Sequence, residues 1–455
     1  MSIASARPRP LANRLLFPAL AHDDPLPPLA ASAELSAELY DVAALGLRAY
    51  VLPWWSKLSR YDKQLLPEIA TVLVAVLRVL HARLHAVQLA PLLLRHVPAI
   101  LTQHCRDYRN ARRKLHTSYA AAASASLPQL FHQLQPHMAV SPDGRLDTEY
   151  FRHLLDHILR VCLPPEDCQP DAERFLVREI ILKVLLNDIV PKISQPWFLQ
   201  RSILDLLQLQ AQASLAIFSP FLCSALSSLQ NNTAISGACL ALIHAYKNTL
   251  ITIKRVNKRC PSPLPTSQNY ADPLLTMFSE IFTLQDRAAS TTLLTTARVI
   301  TNLSSSFLDR LLPHLLEAQL SPAFVLSITR TAKRTLFPNG YPAPPPIEPT
   351  PEEQAEFRAR LVGWRPRGAL ATRLLPLLLG PDPSSTLDTA LDPLSSTPCN
   401  VHLVLFLLDL FILELFPELA LSVNEQGSTV AHGDYGGGTS TGRDGDSVTE
   451  SEFDI

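Results

Sequence analysis

Charge is what this chain has least of. Asp, Glu, Lys and Arg make up 18% of its 455 residues, against roughly 25% in an average soluble chain. The net charge is −1, so no basic surplus argues for nucleic acid as a partner. Glycine is scarce. Only 14 are present, half of them from Gly427 onward, and no two of the earlier ones are close enough to cradle a phosphate. No Gly-x-Ser-x-Gly occurs, so a nucleophile elbow is excluded. The seven cysteines show no paired short spacing, which suits buried thiols in a reducing compartment. Cys162 and Cys168 are too far apart for a zinc knuckle. His81/His85 and His153/His157 each sit one helical turn apart, but neither pair has a completed ligand set. Asp409, alone in an apolar run, is expected to pair with an arginine. No enzyme activity, cofactor or metal is expected.

Long uninterrupted apolar runs are also missing. Met1 to Leu20 contains Arg7, Arg9 and Arg14, so no secretory signal is expected. The greasiest run, Val401 to Phe416, is shorter than about 20 residues and carries Asp409 and Glu414, so no transmembrane span is expected.

What is present is apolar side chain, 47% of the chain. With so little charge to cover it, the surplus must face a second lobe, a partner, a membrane or a bound lipid. Its spacing is helical. Phe151, Leu154, Leu155, Ile158, Val161 and Cys162 recur at threes and fours, and Leu163-Pro164-Pro165 stops that helix. A second pattern from Asp171 to Val190 is apolar nearly all round, with Arg174, Arg178, Lys183 and Asn187 as a thin polar stripe. It reads as a central helix wrapped on most sides. Asn400 to Phe416 reads the same way. Thr350-Pro351-Glu352-Glu353 spells a capping box with proline at the first helical position. Asp272 to Gln319 is helical and expected to break at Pro313. Two basic clusters close helices, Arg109/Arg112/Arg113/Lys114 and Lys254/Arg255/Lys258/Arg259. Each suits either a solvated helix end or anionic lipid headgroups.

Several of these residues carry a resemblance. Tyr50 to Ser59 with Trp54-Trp55, then His104, Tyr108, Arg109 and Ala111, then Glu149-Tyr150-Phe151-Arg152, Leu163-Pro164-Pro165, Arg178-Glu179-Ile180-Ile181 and Ile189 to Pro196 resemble the PXA domain of one class of sorting nexins. Pro338-Asn339-Gly340, Thr350 to Glu353 and the block from Asn400 through Leu415-Phe416-Pro417-Glu418-Leu419 resemble the sorting nexin C-terminal domain. No basic, β-rich PX domain lies between them. The resemblance implies lipid carriage or membrane-contact roles at endosome, vacuole or endoplasmic reticulum.

The expectation is therefore an all-α protein. Residues 1–30 form a disordered tail, 34–215 a PXA-like helical domain, 216–320 a helical connecting region and 321–420 a sorting-nexin-type helical domain packed against the first. Residues 421–455, rich in Gly, Ser, Thr and acid, form a disordered tail that offers a surface for protein partners. The function expected is non-enzymatic lipid binding or transfer, peripheral on cytoplasmic faces of endomembranes, with phospholipid or an anionic membrane surface as partner. A filled helical adaptor is the alternative. Phe175, Ile180, Val184, Leu185, Leu403, Phe406, Leu407 and Phe411 are the candidates for lining a lipid cavity.

Overall fold

The structure is a computed structural model. It describes residues 10–59 apart from 21–23, 25 and 31, then 64–118, 124–169, 171–217, 254, 268–342, 348–365 and 375–420 apart from 377, with backbone alone at 54 and 209–217. The fold is all-α. Among the described residues there is no strand, only a single bridge between Val140 and Leu146.

Helices α1 (Leu11–Leu15) and α2 (Ala33–Gly46) pack together at the N-terminus. Part of the expected loose tail is thus ordered: Ala12, Leu16 and Leu29 are buried in one cluster with Tyr40, Ala44, Ala70 and Val74. The Tyr40 hydroxyl donates to the Pro27 carbonyl at 3.1 Å. The Ser36 hydroxyl accepts from Leu29 and Ala30 N–H groups. The stretch is Pro- and Ala-rich, yet Leu11 and Leu15 on its short helix, Leu16 at the helix C-cap, and Leu26 and Leu29 beyond it all reach this cluster.

Next come α3 (Leu52–Leu58), α4 (Leu65–Ala86), α5 (Val97–Lys114), α6 (Leu127–Leu134), α7 (Thr148–Cys162), α8 (Asp171–Val184) and α9 (Pro196–Ile217). Three π-helical turns interrupt this series, at Leu47–Val51, Leu92–His96 and Leu185–Ile189. Each is followed two residues later by a proline: Pro53, Pro98 and Pro191. Proline has no N–H and its ring crowds the carbonyl four residues back. The ladder widens instead, and the N–H groups of Leu52, Val97 and Val190 reach back five residues to Leu47, Leu92 and Leu185. The chain thereby turns without ending its helices.

The C-terminal half holds α10 (Ala271–Ile281), α11 (Ala288–Leu303), α12 (Ser305–Gln319), α13 (Pro322–Leu336), α14 (Pro351–Val362), α15 (Pro383–Leu391) and α16 (Thr397–Leu415). Pro313 lies inside α12 and does not break it. The breaks fall earlier, at the left-handed Thr283 (φ 48°) and at Ser304. The expected capping box is present on α14: Thr350 Oγ1 accepts from Glu353 N–H at 3.3 Å, and Glu353 Oε2 accepts from Thr350 N–H at 2.8 Å.

The two halves share a core. Helix α16 packs on α4, α5 and α6, and Val401 and Leu405 are buried in one cluster with Phe151 and Leu155 of α7 and Leu182 of α8. Cys399 joins Tyr108, Ala111, Leu130 and Phe131. The turn before α7 is part of this joint. Gly144 has φ +80°, and a Cβ there would sit 2.8 Å from Pro398 Cβ, so only glycine fits at this crossing. On the opposite side α9 meets α14 and α15 through Leu204, Leu361 and Leu391. The expected connecting region, 216–320, also takes part, because α10 packs along α5.

The structure overturns one expectation about the core. Helix α8 is not wrapped. Leu182 and Arg174 are its buried residues, while Phe175, Leu176, Val177, Ile180, Ile181 and Val184 are exposed.

If one core joins the ends of the chain, Leu405→Ala removes packing from both. It is expected to cost about 2–5 kcal/mol and to lower one common unfolding transition. Far-UV circular dichroism and tryptophan fluorescence, followed together in denaturant, check this; two transitions shifting separately would contradict it.

Candidate functional site

The junction between α7 and α16 is built around one carboxylate. Asp409 Oδ1 accepts from the Tyr150 hydroxyl at 2.8 Å. Its Oδ2 lies 2.8 Å from His137 Nε2. The other nitrogen of His137, Nδ1, accepts from Ala139 N–H at 3.1 Å, so the proton is on Nε2 and is donated to Asp409. The expected arginine partner is therefore replaced by a tyrosine from the first turn of α7 and a histidine from the segment before it. Burial, with the adjoining carboxylate, pushes the Tyr150 phenol above its ordinary range. A cleft of about 670 Å³ opens beside this carboxylate, between α7 and the end of α16.

Deeper in the junction lies a histidine row. His402 Nδ1 is 3.0 Å from the Pro398 carbonyl, which can only accept, so Nδ1 carries the proton. Nε2 of His402 then accepts from His132 Nδ1 at 3.0 Å. His104 Nε2 donates to the Pro393 carbonyl at 3.1 Å, leaving its buried Nδ1 with no partner. Phe131 stands edge-on to both His104 and His402. A second proton on His104 or His402 would sit in a dry interior. Burial accordingly lowers each to about 4.

The cavity candidates divide between the core and the surface. Leu403 is buried and Leu185 packs against the shared cluster, while Phe406 meets His137 edge-on at 5.0 Å. Leu407 is half-buried, and Phe411 is exposed. Phe175, Ile180 and Val184 point outward, and none of the eight lines the cleft. Helix α16 does contribute to the cleft, further along, through Asp409, Ile412 and Leu413.

The outward side of α8 is the largest departure from the sequence reading. Leu176, Ile180 and Val184 succeed each other at i, i+4 and i+8, flanked by Val177 and Ile181, and Leu176 and Ile180 are 64% and 57% exposed. This makes one continuous apolar arc. The arginines face inward. Arg174, 6% exposed, bonds Asp156 of α7, Asp171 and the Cys168 carbonyl. Arg178 lies 3.7 Å from Asp156, and both guanidiniums stand over the Phe175 ring. The two arginines of the stripe thus belong to the contact face, while Lys183 and Asn187 are exposed.

The first basic cluster is largely engaged within the fold. Arg109 donates to the Glu280 carboxylate and to the carbonyls of Glu280 and Ile281, closing the C-terminal end of α10. Arg112 bonds Asp392. Arg113 is exposed and Lys114 half-buried. Lys254 is exposed, while Arg255, Lys258, Arg259 and the tail from Leu421 lie outside the described residues. No group of three or more metal-ligating side chains occurs among the described residues. The described cysteines, Cys105, Cys162, Cys168 and Cys399, are free thiols, and three of them are buried.

Among the described residues two helices, α4 and α16, are long and apolar enough to cross a membrane by length and composition, and α12 with α13, bent by 43°, reaches that length as a pair. The run expected from Val401 begins four residues earlier, at Thr397. Helix α16 buries Asn400, His402 and Leu405 inside the protein. Helix α4 buries only Ala70 and Val74.

Residues 32–206 match the PXA domain family. PXA domains occur in sorting nexins and other membrane-trafficking proteins. No curated protein and no solved structure matches the chain.

The histidine row predicts acid sensitivity with a definite sign. Between pH 6.5 and about 4 the unfolded chain binds protons at His104 and His402 that the folded chain refuses. Stability is therefore lost as pH falls through that window, by up to about 1.4 kcal/mol per pH unit for each histidine. Denaturation midpoints measured from pH 7 to 4 check this, and His402→Gln is expected to flatten the slope.

Proposed function

We propose that this is a non-enzymatic lipid-binding protein that docks peripherally on endomembranes through the outward face of α8. The single observation that supports the reading is the apolar arc of Leu176, Val177, Ile180, Ile181 and Val184. Soluble monomers rarely leave contiguous apolar patches bare, and such patches mark protein or membrane contacts. Burying one large aliphatic side chain contributes about 1.5–3 kcal/mol, so a few of these residues entering the acyl boundary suffice for reversible docking. The PXA match favours a membrane over a soluble partner and suits the cytoplasmic face of endosome, vacuole or endoplasmic reticulum. The shared interior is packed around Phe151 and Leu405 rather than hollow. Lipid is accordingly assigned to outer surfaces, and lipid transfer through an enclosed tunnel has no support. With Arg109 and Arg112 held in internal pairs, headgroup attraction is secondary.

One observation favours the scaffold reading instead. On α11 the exposed residues Ala289, Leu293, Thr296, Ile300 and Leu303 follow each other at steps of four, three, four and three, the seam spacing of a helix that pairs with another helix. A protein partner of this second face is compatible with membrane docking by the first.

Vesicle flotation separates the readings. Leu176→Glu combined with Ile180→Glu is expected to reduce vesicle binding at least about tenfold, with circular dichroism unchanged because both side chains are exposed. Binding is expected to weaken only slightly between low and physiological salt. A steep salt dependence, or undiminished flotation of the double variant, would remove α8 from the docking role.

A further inference from the structure

We propose that the cleft between α7 and α16 binds a single-chain amphiphile whose head is a protonated amine. The proposal rests on the lipid-binding reading but concerns a surface other than the α8 face. The cleft has two kinds of wall. Met138, Leu154, Ile412, Leu413 and Leu419 form an apolar side, and Asp147, Glu149, Asp409, Tyr150, His153 and His157 form a polar one. Three of the polar residues are carboxylates, and neither lysine nor arginine lines the cleft. Arg152 bonds Glu149 but also spans to both oxygens of Glu179. One positive charge is thus divided between two acids, and the cleft keeps a negative balance.

That balance decides the head group. A phosphate or carboxylate entering here would meet Asp147, Glu149 and Asp409 with no cation to receive it. An ammonium meets acceptors only, and hydrogen bonds to charged groups are the stronger kind. The apolar side then takes the first part of a chain. Met138, 80% exposed at the rim, has the unbranched, adaptable side chain suited to a surface that closes on an alkyl ligand. The volume of about 670 Å³ is that of a small-molecule site, which typically spans about 300–1,000 Å³. This favours a single-chain lipid over a peptide.

The test uses the full-length protein and dodecylammonium, below its self-assembly concentration, in titration calorimetry at pH 7. Dodecanoate of the same chain length is the control. The ammonium is expected to bind at least about tenfold more tightly than the carboxylate, the scale of one or two charged hydrogen bonds. Asp147→Asn with Glu149→Gln is expected to weaken it about tenfold. Met138→Arg, a change at an exposed rim position that carries no packing, is expected to abolish it. Equal affinity for dodecanoate would overturn the proposal, as would unchanged binding in both variants. So would a lysine-bearing amphipathic peptide that displaces dodecylammonium and binds more tightly. Flotation on zwitterionic vesicles, run on the same preparations, separates the two readings. In the unsubstituted protein, flotation without amine binding removes the cleft; amine binding without flotation removes the α8 face.

Discussion

The fold depends on how one apolar helix is held in register. Helix α16 is greasy nearly all round, so hydrophobic burial alone would let it slide or rotate at little cost. Three polar side chains prevent this. Asn400 donates to the carbonyls of Ser194 and Leu394 at 3.0 and 2.9 Å. His402 is fixed between Pro398 and His132. Asp409 is held by Tyr150 and His137. Each contact has a specific donor and acceptor, and each partly or wholly buried group left unmade costs on the order of 1–3 kcal/mol. A shift of one residue would break all three. The arrangement couples the last helix of the chain to segments more than 200 residues earlier, and it sets the cleft beside Asp409.

The same logic explains how α8 is seated. Arg174 and Arg178 reach across to Asp156 on α7, while Arg152 of α7 reaches back to Glu179. The two helices are joined by ion pairs along an interface whose apolar content is small. Buried pairs of this kind fix orientation more reliably than they add stability. With the charged stripe turned inward, the aliphatic residues have no course but outward. The exposed arc is thus a consequence of the way α8 is docked on α7, and it is continuous because the helix is regular from Asp171 to the π turn at Leu185.

Much of this was legible in the sequence, for identifiable reasons. Helix ends written in local chemistry were read closely: Leu163-Pro164-Pro165 stops α7, and Thr350 with Glu353 opens α14. The shared core could be anticipated because α16 has no polar face to leave outside. What failed was the assignment of faces on α8. A helix wheel records which residues lie together, not which side meets the protein, and arginine is read as outward by default. Here Asp156, itself on the polar side of α7, reverses that default. The partner of Asp409 was missed for a related reason: His137 and Tyr150 are adjacent to the helix only through the turn at Gly144. Pro313 misled because α12 runs through it without a break, while the true break at Thr283 depends on a single left-handed residue that no local signal announces.

The two surfaces left apolar differ in kind, and the difference bears on function. On α8 large exposed aliphatics form a broad arc bordered by the exposed Glu173 and Lys183, a surface that can bury area but has little with which to choose among ligands. In the cleft, apolar wall and carboxylates meet within one small-molecule volume, so area and direction are both present. Binding energy that is non-directional would suit the reversible docking proposed above. Selectivity requires buried polar groups that are penalised when the wrong head group is offered. Helix α7 carries both, one side holding α8 outward through Asp156 and Arg152, the other lining the cleft with Tyr150, Leu154 and His157. A protein built this way can separate where it sits from what it recognises, with one helix as the common support.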